Sequence, residues 1–423
     1  MRKIYYIPLL GIFLGACSSE VPEKADNGSR EEIVSPVEKE RVFKPREDVV
    51  LSAEEKAMSS LHNDFSFKLF REYENSLGNK KMEKNFILSP LSVHQCLSML
   101  ANGLEDTSVS DIVNVLLPES CNVEELNAYN KHLIDALSDI DNFSDVIVAN
   151  SLWTNTGCNV EKSFANTVKE VYYAGSETAN LFSDEGRLKV NGWVNEKTGG
   201  LIPEFFKTPP YVAAMLVNAL YFKASWSEKF EVTDGVFKNE NGKPSETDFI
   251  TKTTYYKLYK GDSFKVLSVS YGNEAFRMNI ILPDENIPLE SFELTSLEWE
   301  RISAGLKHSR VNAYIPKFKV EENAEIIEIL RNIGLSKMFL GKNLSKMSSD
   351  IEEFNKVLHS AVLTVDENGS EGAAATSMGW FTSPGEGTAE QTPELFKADR
   401  PFMFILDEVS TGTILFMGKI NNL

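Results

Sequence analysis

The residues whose spacing promises chemistry lie near the end of this chain of 423 residues, and most are small. Val365-Asp-Glu-Asn-Gly-Ser-Glu-Gly-Ala-Ala-Ala-Thr376 leads into a polar run that lasts to Asp399, and Arg400-Pro-Phe-Met-Phe-Ile-Leu406 follows. The pattern is a strand, a small-residue hinge, a loop of about thirty residues and a second strand. Structureless loops longer than about 12–15 residues are uncommon in compact domains unless they are functional. This one hides a strand pattern. Ser370, Gly372, Ala374, Thr376, Met378 and Trp380 fall on one parity and none is charged. Glu371, Ala373, Ala375, Ser377 and Gly379 fall on the other. Alternate residues of a strand face opposite sides. The loop can therefore become a strand with one uncharged face while Glu371 stays in water, which is the behaviour of a switch.

Other chemistry is absent or terminal. There is no Gly-x-Ser-x-Gly elbow, HExxH, P-loop or dinucleotide-type Gly-x-Gly-x-x-Gly. The histidines at 62, 94, 132, 308 and 359 lack metal-ligand spacing, and the cysteines at 17, 96, 121 and 158 fit neither a zinc site nor a disulfide scaffold. Cys96 lies in an apolar helical pattern and reads as a packing residue. An enzyme is disfavoured and no cofactor or metal is implied. Cys17 is different. Arg2 and Lys3 precede an apolar run from Ile4 to Phe13, which ends in Leu14-Gly-Ala-Cys17. The run is too short for a mature membrane span and reads as a secretory signal over residues 1–16. Its end looks like a bacterial lipobox, so Cys17 is expected to be lipidated, holding the protein at a cell-surface or periplasm-facing membrane leaflet.

The elements that must position the loop follow from composition and period. With 42% hydrophobic residues the chain can bury a sizeable core, and its net charge of −19 argues against nucleic acid. Residues 17–52 are polar and aperiodic, the pattern of a disordered tether. From Ala53 the stripe Met58, Leu61, Phe65, Phe67, Leu69 and Phe70 marks a helix. Ser89-Pro90 opens another over Leu91 to Ala101. Asp145 to Trp153 reads as a strand, and Val190 to Thr198 as a helix stopped by Gly199-Gly200. Ala213 to Trp226, Met278 to Pro283, Val311 to Phe318, Arg400 to Leu406 and Thr413 to Ile420 read as strands. Ala324 to Leu335 reads as an amphipathic helix. Helices early and strands late, without regular alternation, indicate an α+β fold.

Five segments in order resemble the serpins, a family of serine protease inhibitors. They are Asn85-Phe-Ile-Leu-Ser-Pro-Leu-Ser92, Val190 to Phe206, Leu216 to Trp226, His359 to Ser370 and Phe396 to Leu406. The resemblance covers residues 53–423. It implies one domain of three β-sheets and about nine helices with an exposed reactive-centre loop at about 367–399, acting as a monomer. It also implies a suicide-substrate mechanism, in which a protease cuts the loop and the cleaved loop inserts into the main sheet and traps the acyl-enzyme. The alternative within the family is a non-inhibitory binding module whose loop is merely cut. The resemblance assigns Glu367, Gly369, Ser370, Gly372, Ala373, Ala374, Ala375 and Thr376 to the hinge. Gly372 departs from the alanine usual there. It assigns Ser89, Ser92, Asn218 and His359 to the shutter, a polar cluster under the main sheet, and Trp226 to the breach, where insertion begins. The family's usual count of about seventeen residues from Glu367 ends at Ser383, whose bond runs into Pro384, and most proteases avoid cutting before proline. The reactive bond is therefore expected one step earlier at Thr382–Ser383, with Phe381–Thr382 as the runner-up. No Lys or Arg occurs between Asn368 and Phe396. Trypsin-like proteases are therefore poor targets, and elastase-like, subtilisin-like or papain-like enzymes are expected instead.

Overall fold

Side-chain caps start the helices where the sequence offers them. The chain is described here by a computed structural model over residues 43–339, 341, 343–351, 357–370 and 392–423. Ser52 caps α1 (Ala53–Ser76): its hydroxyl accepts from Glu55 N at 3.1 Å, while the Glu55 carboxylate accepts from Ser52 N at 2.8 Å. β1 (Phe86–Leu88) leads to Ser89, which caps α2 (Pro90–Ala101). Then come α3 (Asp106–Leu116), α4 (Val123–Leu137), β2 (Ser144–Asn155), α5 (Lys162–Tyr172), β3 (Gly175–Ala179) and α6 (Asp184–Lys197). The strand-rich part holds β4 (Ala214–Ser225), β5 (Glu231–Lys238), β6 (Pro244–Lys260), β7 (Phe264–Ser270) and β8 (Phe276–Pro283). After α7 (Ser296–Gly305) come β9 (Lys307–Pro316), β10 (Phe318–Glu325), α8 (Ile327–Asn332), β11 (Leu358–Val365) and β12 (Gly369–Ser370). β13 (Glu394–Lys397), β14 (Phe402–Glu408) and β15 (Ile414–Ile420) close the chain. Three short 3-10 turns complete the described elements.

The strands form a six-stranded sheet, β10-β11-β12-β4-β2-β3, and a nine-stranded one built on β1-β15-β14-β8-β7-β6-β9-β13, with β5 on β6. Two of the three expected sheets are joined by hydrogen bonds, because the 17-residue β6 reaches both: Lys257–Lys260 pair with β7, and Phe249–Leu258 with β9. In the smaller sheet β4 alternates sides. Met215 and Val217 pack with Trp153 and the α6 residues Val190 and Val194. Leu220, Phe222 and Ala224 point into the opposite core with Leu91 of α2.

The expected helix at Ala324 to Leu335 is shorter at its start. Ala324 and Glu325 belong to β10, where they pair with His359 and Leu358, so ladder pairing overrides the helical period. α6 begins six residues before Val190, at the side-chain cap of Ser183. The expected tether also ends short of residue 52, because residues 43–51 lie on the body. The Phe43 ring is 6.4 Å from that of Phe143, Asn273 Nδ2 donates to Lys44 O at 3.1 Å, Val49 N donates to Ser410 Oγ at 2.9 Å, and Leu51 is buried. Cys17, Gly372, Ala373, Ala374, Ala375, Thr376, Phe381, Thr382 and Ser383 lie outside the described residues.

Candidate functional site

The hinge is held between the two central strands of the six-stranded sheet. Gly369 and Ser370 pair antiparallel with Ser225 and Ala224 of β4, and Ser370 also pairs with Val365 of β11. The connection is tight. Asp366 N donates to Gly369 O at 3.0 Å, and Asp366 Oδ1 accepts from Asn368 N at 2.8 Å. Gly369 has φ +149°, and a Cβ there would lie 1.9 Å from Ala224 O. Only glycine fits such a turn without strain. Ser370 is fully buried and Tyr271 Oη lies 2.8 Å from its Oγ. Its side chain takes the core side.

Trp226 fastens the same corner. Its indole Nε1 donates to Asp366 O at 2.8 Å and its backbone N to Asn368 O at 3.1 Å. Its ring stacks on Tyr271 at 4.2 Å and 12°. Such ring pairs contribute about 0.5–1.5 kcal/mol beyond burial. Glu367 makes an ion pair with Lys317 at 2.9 Å, and Lys317 lies 3.9 Å from Asp248. The hydrogen bond from Lys317 lowers the Glu367 pKa, and the same bond raises that of Lys317. Both partners are partly exposed, so the pair adds little stability. It does fix where the hinge leaves β11.

The four shutter residues form one continuous hydrogen-bonded chain. Ser89 N donates to His359 Nε2 at 3.1 Å, and Ser92 N donates to Ser89 Oγ at 3.3 Å. Ser92 Oγ donates to Asn218 Oδ1. Asn218 Nδ2 donates to Asn150 Oδ1 at 2.7 Å, and Asn150 Nδ2 to Tyr172 O at 2.9 Å. Because His359 Nε2 accepts a bond, its ring proton sits on Nδ1. Burial lowers the His359 pKa to about 4, so the ring is neutral near pH 7. The network thus joins α2, β4, β11 and β2.

Lys317, Tyr271, Asp366 and Asn150 belong to the site but were not singled out in the sequence. Lys317 and Tyr271 come from distant strands, and no local period points to them. Asp366 stood inside the hinge run, and its role is visible only through the Trp226 contact. Among the described residues no group of three His, Cys, Asp or Glu side chains could hold a metal ion. Cys96, Cys121 and Cys158 are free thiols.

Comparison with known proteins gives this arrangement its family. The model of the serpin family, described as serine protease inhibitor, matches residues 60–423. The chain therefore belongs to the serpins. It is 28% identical to an uncharacterized serpin-like protein of Thermococcus kodakarensis, over 100% of this chain and 99% of that one. It is 31% identical to Serpin B6 of Pongo abelii, covering 81% of this chain and 94% of the relative. Among solved structures, the thermophilic serpin tengpin in its native state superposes with a TM-score of 0.76 at 27% identity, covering 90% of this chain and 97% of tengpin. A thyroxine-binding globulin complexed with thyroxine matches with the same TM-score at 23% identity, over 86% of this chain and 99% of that one, a likeness that shows the fold alone.

Proposed function

We propose that this serpin is a suicide-substrate inhibitor of serine endopeptidases, and of papain-like cysteine endopeptidases that accept the same loop. The observation that carries the reading is the seating of Gly369 and Ser370 between β4 and β11, ahead of an uncharged alternation. Continued in that register, each loop residue pairs one position further back on both strands. Thr376 then falls opposite Asn218 and His359. Cleavage frees the loop to add a strand here. Each new ladder bond contributes about 0.5–1.5 kcal/mol, and each Å² of apolar burial about 25 cal/mol. Over about twelve residues the gain is on the order of 10–20 kcal/mol. That gain can pull an acyl-enzyme out of register, where a shift of about 1 Å costs about 10²-fold in rate. The inward parity carries no charge, so no ion has to leave water while the acyl bond survives.

The reactive bond is assigned to Thr382–Ser383, with Phe381–Thr382 next, and the targets are elastase-like, subtilisin-like or papain-like enzymes. Residues 1–16 are assigned as a lipoprotein signal, and lipidated Cys17 as the anchor at a cell-surface or periplasm-facing leaflet. Incubation with a protease panel followed by a denaturing gel tests the reading. An SDS-resistant complex with an elastase- or subtilisin-like enzyme is expected. Loop cleavage by every such enzyme without a complex would indicate a binding module instead.

A further inference from the structure

The six-stranded sheet and α2 line a half-open cavity of about 430 Å³ at the end of β4 and β11 away from the hinge. We propose that this cavity is a binding site for an uncharged, largely apolar small molecule that carries one hydrogen-bond acceptor. Ligand pockets commonly run from about 300 Å³. By the scale on which about 150 Å³ admits benzene, this one has room for about three fused rings. Leu97 and Leu100 of α2, Leu216 of β4, Phe206 and Ile326 supply apolar wall. Ser92, Asn218 and Ser360 also line it, but Ser92 Oγ and Asn218 Nδ2 are taken by the shutter network, and His359 supplies a donor that is not. The side chain is 4% exposed, its Nε2 is taken by Ser89 N, and its protonated Nδ1 has no partner among the described residues. An N–H that faces a cavity fixes the direction from which a ligand acceptor can approach.

Charge narrows the class. Among the described lining residues there is no Lys or Arg, and the one acid, Asp350, is turned to Asn159 N at 2.8 Å. No described lining residue would hold an anion, and the chain as a whole repels one at net −19. The rim carries its own mark. Tyr211 lines the cavity at φ +57°, with 60% of its surface exposed and its ring 6.2 Å from that of the exposed Phe182. Left-handed backbone at a residue other than glycine is strained, and such strain gathers at ligand sites.

Occupancy has a consequence that rests on the inhibitory reading above. The register that pairs Ser370 with Ala224 would seat Met378 opposite Leu216 and Trp380 opposite Ala214, both on the cavity lining. A bound ligand and an inserted loop exclude each other. The ligand would therefore turn the inhibitor into a substrate.

The neutral ketone 6-propionyl-2-(dimethylamino)naphthalene, which has one carbonyl acceptor, serves as the probe. Titration of the full-length native protein should give saturable, one-to-one, blue-shifted fluorescence. Bound probe should slow alkylation of Cys96, which lines the cavity, as read by peptide mass spectrometry. Leu216→Trp should fill the cavity and abolish binding. If that variant does not fold, His359→Leu serves, and loss of the donor should weaken binding about threefold to tenfold. Absence of saturable binding, binding without protection of Cys96, or unchanged affinity in both variants would overturn the site. Added to a protease that the native protein traps, the probe should lower the yield of SDS-stable complex and raise that of cleaved loop. Unchanged partitioning at saturating probe would overturn the coupling. If the probe binds as described but no protease is trapped without it, the inhibitory reading fails and the site stands.

Discussion

Gly369 has little freedom to change. Any β-carbon there would meet the Ala224 carbonyl oxygen, and its φ is one that side chains avoid. Gly369→Ala should cost about 2 kcal/mol or more, seen as a lower urea midpoint with an unchanged slope. Equal midpoints would mean that the turn relaxes without loss. The buried histidines make a second residue-scale statement. Burial lowers His62 and His359 to a pKa of about 4 from an ordinary 6.5, so both fold as neutral rings. The unfolded chain binds protons first as pH falls. Stability is therefore complete above pH 6.5 and declines between 6.5 and 4, by up to about 3 kcal/mol for each ring. Chemical denaturation at pH 7 and pH 5 should show the decline, and His359→Gln should remove part of it. A flat profile in the wild type would rule out neutral burial.

At the scale of elements, the question is which side of the inserted strand faces the core. Ser370 is buried against Tyr271, and on the proposed mechanism a strand extended from it would turn residues of its parity inward. Ala374→Arg would place an unpaired cation there, a cost far above the gain of one ladder bond. The variant should be cut at the normal rate and form almost no SDS-stable complex. Full inhibition would mean that the strand inserts in the other phase. Much of the described fold around the hinge is legible in the sequence, because a strand period of two survives in any context and Ser89-Pro90 and Gly199-Gly200 punctuate locally. The boundaries were less so. Ala324 and Glu325 carry a helical period yet join β10 because β11 offers them a ladder. Residues 43–51 looked like tether because their partners, Phe143, Asn273 and Ser410, are far along the chain. The joining of two sheets through β6 is likewise a tertiary event with no local sign.

For the whole molecule, two assignments decide where it acts and on what. Lipid on Cys17 is the proposed attachment, since an acidic chain has little affinity of its own for an anionic membrane. Cys17→Ser should move the protein from the membrane fraction to the soluble one with its inhibitory yield intact, and a variant that still sediments would refute the anchor. Selectivity rests on one position. The residue before the scissile bond must enter the specificity pocket of the protease, and trypsin-like pockets hold an acid that requires a cation. The loop offers none between Asn368 and Phe396. Thr382→Arg supplies one without altering the inward parity as far as Trp380. The variant should gain an SDS-stable complex with trypsin that the wild type lacks, and the released fragment should begin at Ser383. A fragment beginning at Thr382 in the wild-type reaction would shift the bond to Phe381–Thr382. Cleavage beyond Gly387 would lengthen the inserting half and overturn the spacing count from Glu367. If Thr382→Arg is cut by trypsin at Ser383 yet never traps it, the pocket has been satisfied but insertion is too slow. The limit then lies in the β4–β11 cleft rather than in recognition.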